Sequence, residues 1–255
     1  MSIKADCHLH SSFSGDSQAP MPEMIDKGLS LGLETMCFTE HNDFDYPRTE
    51  EADLALLEKT GVDYVLMPSV EDIYPQKDTR VFDLGTTDKT MEGAHRPGHF
   101  NGVAQVVSRL FDIVRPERAY FGEKDFQQIA VIREMVRRYG YPVQIIACPI
   151  VRGADGLALS SRNALLTPAH RAAAPTIYGA LSENAAAART MSVEEFRRRV
   201  VERIDATKLL KTEYLSVVHA ETLEEIDTWS DSFPMRCCIA VQAGDIRLID
   251  NIAIA

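Results

Sequence analysis

The sequence predicts an α/β protein, with a Rossmann-like parallel sheet followed by a small α+β C-terminal lid domain. Over the first 150 residues, short apolar segments alternate with amphipathic helical patterns, which is typical of parallel strands joined by crossover helices. One of these strands ends in a glycine that opens a helix, where backbone can approach a ligand closely. After about residue 150, Ala-rich helical patterns precede three strand patterns.

The first predicted elements alternate between strand and helix. Lys4–His8 is typical of a short strand, and Pro22–Gly32 carries apolar residues at helical spacing. Thr35–Thr39 is predicted to be a second strand. Glu50–Thr60 is amphipathic and stops before a glycine, which indicates a second helix, and Val62–Met67 is an apolar strand.

A polar segment without strand or helix periodicity interrupts the alternation of strands and helices. Residues 75–95 are polar and rich in Thr and Asp, which predicts a loop with a short ribbon. A helix is predicted over Phe100–Val114, and its end is placed there because a proline follows shortly after it. Ala119–Phe121 is a short strand, Gln127–Tyr139 a helix closed by a glycine, and Val143–Ala147 a buried strand.

A domain boundary is predicted near Ile150–Arg152, which divides the chain into residues 1–150 and residues 151–255. A threonine cap at Thr167, followed by proline, opens a long Ala-rich helix. Ser192 and the glutamate three residues later form a capping box for the next helix. The predicted C-terminal strands are Tyr214–Val218, Cys237–Val241 and Leu248–Ile252.

The net charge, the cysteines and the length of the apolar runs limit which partners and which cellular compartment the sequence predicts. The net charge of −11 and the pI of about 5.1 disfavour a nucleic-acid partner, because such a surface repels phosphate. Five cysteines, an odd number that includes an adjacent pair, indicate reduced thiols and a cytoplasmic location. No apolar run approaches the length of a membrane-spanning helix, so we expect no membrane partner.

The segment Gly122-Glu123-Lys124-Asp125 follows a predicted strand and opens a predicted helix. The helix N-terminus offers free backbone N–H groups to an anion, and the lysine adds a positive charge. Asp125 can accept hydrogen bonds from ribose hydroxyls. Gln128 lies one helical turn after the lysine, so both can face one ligand. The alternative interpretation is a charged turn that caps a helix.

A second polar segment, Leu159-Ser160-Ser161-Arg162, lies in a turn close to Gly156. Two hydroxyls and a guanidinium are typical of sites that hold phosphate or another oxyanion. The alternative is a serine-rich turn that precedes a helix.

Together with Arg96-Pro97-Gly98-His99-Phe100 and the terminal stretch Gly244–Asn251, these segments resemble the pantothenate synthetase (pantoate–β-alanine ligase) family. The resemblance runs from about Arg48 to Ala255. It implies an ATP-dependent ligase. In such an enzyme pantoate attacks ATP to give pantoyl adenylate, and β-alanine then displaces AMP to give pantothenate.

The resemblance also implies roles for particular residues. Magnesium accompanies ATP, the partners are small molecules, and a homodimer is compatible with the family. The implied catalytic residues are Lys124 and Arg162, and the implied substrate-binding residues are Arg96, His99 and Gln128. The implied ATP-binding residues are Gly122, Glu123, Lys124, Asp125, Val151, Leu159, Ser160, Ser161 and Arg162.

The start of the chain departs from this family. The family's Pro-Thr-Met-Gly segment does not occur in the sequence, and neither does its His-x-Gly-His turn, which grips the ATP phosphates. Residues 3–47 instead resemble the start of the PHP-type phosphoesterases, histidinol-phosphatase in particular, through Asp6-Cys7-His8-Leu9-His10 and Glu40-His41. The resemblance therefore implies a ligase without its usual N-terminal nucleotide-binding segment.

His8 and His10 share one face of an extended segment, and with His41 they are candidate metal ligands. The alternative is that they are surface histidines in turns. We expect all three at the carboxyl ends of the first two strands, facing the cleft that holds Lys124. Two other functions stay open: a PHP-like metal-dependent phosphoesterase, and a nucleotide-binding pseudoenzyme or chimeric fragment.

Overall fold

The computed structural model describes residues 68–254, residues 58–59 and two strands near the N-terminus. These strands are β1 (Ala5–Leu9) and β2 (Thr35–Phe38), which pair in parallel and confirm two predicted strands. Residues 58–59 are helical, as predicted. The predicted helix Pro22–Gly32 and the predicted strand Val62–Met67 lie outside the described residues.

The central part of the chain forms a second parallel pair of strands with helices around it. Strands β3 and β4 run side by side, with Gly122 opposite Cys148 at their carboxyl ends, and β1 lies next to β3. The elements are α1 (Val70–Ile73), α2 (Met91–His95), α3 (His99–Val114), β3 (Arg118–Gly122), α4 (Phe126–Tyr139) and β4 (Gln144–Cys148).

The ribbon predicted within residues 75–95 is wrong. This fully described segment contains no strand, and its last five residues form helix α2. The helix is held from outside, because the backbone N–H of Glu92 donates to the side-chain oxygen of Gln127 at 2.9 Å. Such a contact across the sequence overrides the local polar pattern on which the prediction rested.

The C-terminal part is an antiparallel three-stranded sheet covered by helices, which confirms the predicted strands and makes each of them longer. Strand β5 carries an irregularity between Thr212 and Tyr214, where Glu213 is the extra residue. The elements are α5 (Pro168–Ala173), α6 (Thr176–Ala186), α7 (Val193–Asp205), β5 (Leu210–His219), β6 (Met235–Ala243) and β7 (Ile246–Ile254).

The single long helix predicted after Thr167 is wrong, because the chain breaks into α5 and α6 at Pro175. Proline has no backbone N–H to donate, and its ring clashes with the carbonyl four residues earlier. The start of α5 is as predicted, with the Thr167 hydroxyl accepting from the His170 N–H. At α7 one half of the predicted capping box is present, since the Ser192 hydroxyl accepts from the Glu195 N–H.

Among the described residues, two large apolar clusters lie in the central and C-terminal parts of the chain, and a third joins them. The third cluster packs Met91 and Phe126 from the first part against Val218 and Cys238 from the C-terminal sheet. Parallel strand pairs with surrounding helices and an antiparallel C-terminal sheet confirm the predicted α/β class. None of the helices in the described part of the chain combines the length and the apolar character needed to cross a bilayer.

Two glycines offer a matched test of backbone strain. Gly140 ends α4 in the left-handed region, at φ 70°, with open space where a side chain would begin. We expect Gly140→Ala to destabilise the fold by about 1 kcal/mol, since an L-residue is disfavoured there. Gly102 lies inside α3, also with open space, and Gly102→Ala should stabilise by about 0.5–1 kcal/mol. Urea unfolding of both variants checks the opposite signs, and equal signs would contradict the argument.

Candidate active site

A cavity of about 560 Å³, partly open to solvent, lies where the two parts of the chain meet. Its walls come from α2 and α3, from the turn between β3 and α4, and from the C-terminal sheet. The polar residues that line it are Glu92, Arg96, His99, Lys124, Asp125, Gln127, Gln128, Arg162, Tyr214, Arg247, Asp250 and Asn251. The sequence-predicted residues Arg96, His99, Lys124, Asp125, Gln128 and Arg162 are therefore brought together.

The turn that carries Lys124 is fixed from two sides. Gly122 ends β3, and a short 3-10 turn over Glu123–Asp125 leads into α4. The Lys124 ammonium lies 3.6 Å from the Asp125 carboxylate and is partly exposed to the cavity. The Asn251 side-chain amide donates to the backbone carbonyls of Glu123 at 2.8 Å and Lys124 at 3.1 Å. The lysine is thus presented from a backbone that strand β7 holds in place.

Glu123 itself does not line the cavity, because its carboxylate accepts from the Arg236 guanidinium at 3.0 Å. Arg236 also donates to the side-chain oxygen of Asn251 at 2.7 Å and lies over the Phe126 ring. The charge of Glu123 is therefore used to hold the C-terminal sheet against the lysine turn.

Arg96 and His99 form another part of the cavity wall, and their guanidinium and imidazole nitrogens lie 3.2 Å apart. Gly98 between them has φ 83°, a conformation that glycine adopts without strain and that turns the chain into α3. Burial and the positive charge of Arg96 lower the pKa of His99 below its ordinary value. The imidazole is therefore neutral at pH 7 and can accept a hydrogen bond.

The lowered pKa of His99 makes stability depend on pH in a defined direction. Below the ordinary histidine pKa the unfolded chain binds a proton that the folded chain resists, so stability is lost as pH falls through this window. We expect His99→Gln to flatten the decrease in unfolding free energy between about pH 7 and pH 5. Urea unfolding at each pH checks this, and an unchanged pH profile would contradict it.

The segment Leu159–Arg162 is only partly presented to the cavity. Arg162 lines it, and the Ser160 hydroxyl accepts from the Arg162 backbone N–H at 3.3 Å. Both Ser160 and Ser161 are buried, and Ser160 lines a smaller adjoining cavity that Lys124 also lines. Val151 pairs with Leu159 through a backbone hydrogen bond of 3.0 Å, and both lie outside the linings of these two cavities.

Sequence reasoning missed a charged network in the cavity wall. The Arg247 guanidinium forms a bidentate contact with the Glu92 carboxylate, with hydrogen bonds of 2.7 and 2.8 Å. It also donates to the Glu213 carboxylate at 2.6 Å. The Tyr214 hydroxyl donates to Glu92 at 2.8 Å, and burial and the nearby carboxylate raise the pKa of Tyr214 well above its ordinary value. Local patterns carry no signal that pairs Glu92 with Arg247, because 155 residues separate them.

Of the three candidate N-terminal metal ligands, the structure describes the position of one in the fold. His8 lies in strand β1, next to β3, whereas His10 and His41 fall outside the described residues. Among the residues that can be described, no group of three or more His, Cys, Asp or Glu side chains is arranged to hold a metal ion. The convergence of the three histidines on the lysine cleft stays a prediction.

Comparison with known proteins identifies the family of the chain. The family model "Pantoate-beta-alanine ligase" matches residues 29–253. The pantothenate synthetase of Porphyromonas gingivalis is 53% identical over 216 residues, which is 84% of this chain and 77% of that protein. That of Bacteroides thetaiotaomicron is 50% identical over 225 residues, which is 88% of this chain and 80% of that protein.

Solved structures show the same similarity. A crystal structure of the Thermus thermophilus enzyme has a TM-score of 0.81 at 40% identity, covering 91% of this chain and 88% of that one. A structure of the pantoate-beta-alanine ligase of Francisella tularensis, complexed with beta-gamma ATP and beta-alanine, has a TM-score of 0.74 at 27% identity and covers 98% and 90%.

The family match begins at residue 29, upstream of the start near residue 48 that the motifs indicated. It extends almost to the C-terminus and includes all the residues that line the cavity. The chain belongs to the pantoate-beta-alanine ligase family.

Proposed function

We propose that the protein is an ATP-dependent ligase that condenses pantoate and β-alanine to pantothenate through a pantoyl adenylate. The observation that carries the proposal is the cavity that Lys124, Arg162, Arg96 and His99 line together. Lys124 and Arg162 suit the phosphates of ATP, and Arg96, His99 and Gln128 suit a small hydroxy acid. The family membership of the chain supports the same function.

In the first step, a pantoate carboxylate oxygen attacks the α-phosphorus of ATP, and pyrophosphate leaves with the bonding electrons. Lys124 and Arg162 stabilise the negative charge that spreads over the phosphate oxygens. Gln128 and Arg96 hold pantoate in line with the phosphorus. Gly122, Asp125, Val151, Leu159 and the two serines, Ser160 and Ser161, complete the proposed ATP-binding set.

In the second step, the amine of β-alanine attacks the acyl carbon of the adenylate, an amide bond forms, and AMP leaves. The ammonium form of β-alanine first loses a proton to solvent, and the attacking nitrogen loses a second proton to solvent as AMP leaves with the bonding electrons of the acyl–oxygen bond. The neutral His99 imidazole is a hydrogen-bonding group that favours the free amine nearby. Both steps therefore depend on positioning and charge stabilisation by groups of this one cavity.

The proposal includes Mg²⁺ bound together with ATP. Glu92 and Asp250, two cavity carboxylates, are each engaged by an arginine, whereas the Asp125 carboxylate is half-exposed. Magnesium commonly uses one or two carboxylates and otherwise water and phosphate oxygens. Asp125 fits as such a ligand, and the ion would neutralise phosphate charge.

Other features stay predictions from the sequence. These are the two-domain division near residue 150, the homodimer, the cytoplasmic location, and the PHP-like replacement of the family's N-terminal segment, predicted over residues 3–47, of which residues 29–47 lie within the family match. We propose that this replacement lowers turnover more than ATP binding, because Gly122–Asp125 and Leu159–Arg162 are intact.

An AMP-release assay with pantoate, β-alanine and Mg-ATP tests the function. We expect AMP release that requires both organic substrates. Calorimetry with a non-hydrolysable ATP analogue should show binding. Binding without turnover would identify a nucleotide-binding pseudoenzyme. Phosphate release from histidinol phosphate would favour the phosphoesterase alternative, and absence of nucleotide binding would overturn the proposal.

A further inference from the structure

Strand β7 touches both walls of the cavity through two side chains on the same face. Arg247, near its start, contacts Glu92 of helix α2, and Asn251, four residues later, contacts the lysine turn. Side chains four residues apart on a strand point to one side and are separated by about 13 Å. The strand therefore spans the cavity from the α2 wall to the Lys124 turn.

The contact at the Arg247 end is strong and specific. Its guanidinium meets both oxygens of Glu92, and a carboxylate from the neighbouring strand, Glu213, holds its Nε. Four of its donor contacts to these carboxylates are 3.3 Å or shorter. With its donors directed at protein carboxylates, Arg247 is poorly placed to bind a phosphate directly. Its charge is used to fix the position of helix α2.

The contact at the other end is buried. Asn251 is 2% exposed, and its amide nitrogen is shared between the carbonyls of Glu123 and Lys124. Arg236 holds the amide oxygen and so fixes which end of the side chain faces the turn. A shift of β7 would therefore move the backbone from which Lys124 projects.

A third contact joins the start of α4 to helix α2. The Gln127 side chain, in the first turn of α4, accepts from the Glu92 backbone N–H and donates to the carbonyls of Thr87 and Thr90. Helix α2, the lysine turn and strand β7 are thus joined pairwise. Loss of the Arg247–Glu92 contact removes the connection between α2 and β7 from this set of three contacts.

We infer that Arg247 is a positioning residue, which through Glu92 holds the Arg96–His99 wall at a fixed distance from Lys124. The inference rests on the proposed function, since it assigns these two walls to different substrates. Each wall keeps its own substrate contacts when the tie is lost, whereas the alignment of the two substrates suffers. A misplacement of about 1 Å can lower a rate by about 10²-fold.

The test compares Glu92→Gln, Arg247→Met and the double variant. We expect kcat of each single variant to fall about tenfold to hundredfold, with KM for pantoate and ATP changed by less than about threefold. The double variant should be no slower than the slower single variant, because both changes remove the same Glu92–Arg247 contact. Multiplying effects would show that Arg247 acts on a substrate by itself and would overturn the inference, as would a loss confined to KM.

Amide hydrogen exchange provides a readout that needs no turnover. Arg247→Met should speed exchange in residues 91–99, which lose the Arg247 contact, and in residues 122–128, which Gln127 joins to Glu92, while residues 193–205 stay unchanged. Unchanged exchange in both cavity segments would overturn the inference. A wild-type protein without AMP release would instead count against the proposed function alone.

Two control variants complete the design. Arg198→Met removes an exposed guanidinium whose carboxylate partners lie on its own helix, so neither kcat nor exchange at the cavity should change. Arg247→Lys keeps the charge but not the two-pronged geometry, and it should give an intermediate kcat in a folded protein. If Arg247→Lys is folded and as slow as Arg247→Met, the geometry of the contact is decisive. A wild-type rate for both variants would overturn the inference.

Discussion

Replacing Lys124 by Met should lower the rate of AMP release by about 10²–10³-fold, which is typical for the loss of one stabilising group in a preorganised site. The ammonium lines the main cavity and the smaller one beside it, and its backbone is held by Asn251. Methionine keeps most of the apolar stem and removes the charge. The affinity for a non-hydrolysable ATP analogue should also fall, and both quantities are measured by coupled assay and calorimetry.

The control for this prediction is Lys77→Met, an exposed lysine in the loop after α1. It removes the same charge from the protein without touching the cavity, so its kinetics should equal those of the wild type. A Lys124→Met variant within about tenfold of wild type would show that the lysine does not stabilise the reacting phosphate.

Replacing Arg152 by Met should destabilise the fold by about 3–5 kcal/mol, because it leaves a buried charge without its partner. The guanidinium meets both oxygens of Asp250 at 2.7 and 2.8 Å, and Asp250 is 4% exposed. Arg152 also lies over the Tyr178 ring, with 3.8 Å from guanidinium carbon to ring centre. The free energy of unfolding in urea measures the loss.

The double variant Arg152→Met with Asp250→Asn separates the two causes of this loss. Removing the orphaned charge should recover a substantial part of the stability, whereas the lost packing on Tyr178 remains. Arg198→Met serves as the exposed control and should have a much smaller effect. If the double variant is less stable than Arg152→Met alone, the buried charge is not the main cost.

Local patterns predicted the elements that present Lys124. Strands β3 and β4 and helix α4 lie within a residue or two of their predicted bounds, because apolar periodicity and the terminal Gly140 are local signals. Helical spacing also placed Gln128 beside Lys124, and both line the cavity. The break at Pro175 has a local signal too, which the Ala-rich pattern on either side outweighed in the prediction.

The remainder of the site depends on contacts that no local pattern contains. Helix α2 lies in a polar segment and is held by Gln127, and Glu92 is recognised as a site residue only through its contacts with Arg247 and Tyr214. In the segment Leu159–Arg162, Arg162 lines the main cavity and Ser160 lines the adjoining one. The burial of Ser161 depends on packing, which composition does not reveal.

The extra residue in β5 changes which side chains of this strand face the core. Before the irregularity the even-numbered Leu210 belongs to the large C-terminal core, whereas after it the odd-numbered Val217 does. One additional residue therefore changes which parity faces the core. Deleting Glu213 would restore simple alternation with both core residues still inside. Alternation along the strand does not require this residue, and the carboxylate that it adds contacts Arg247.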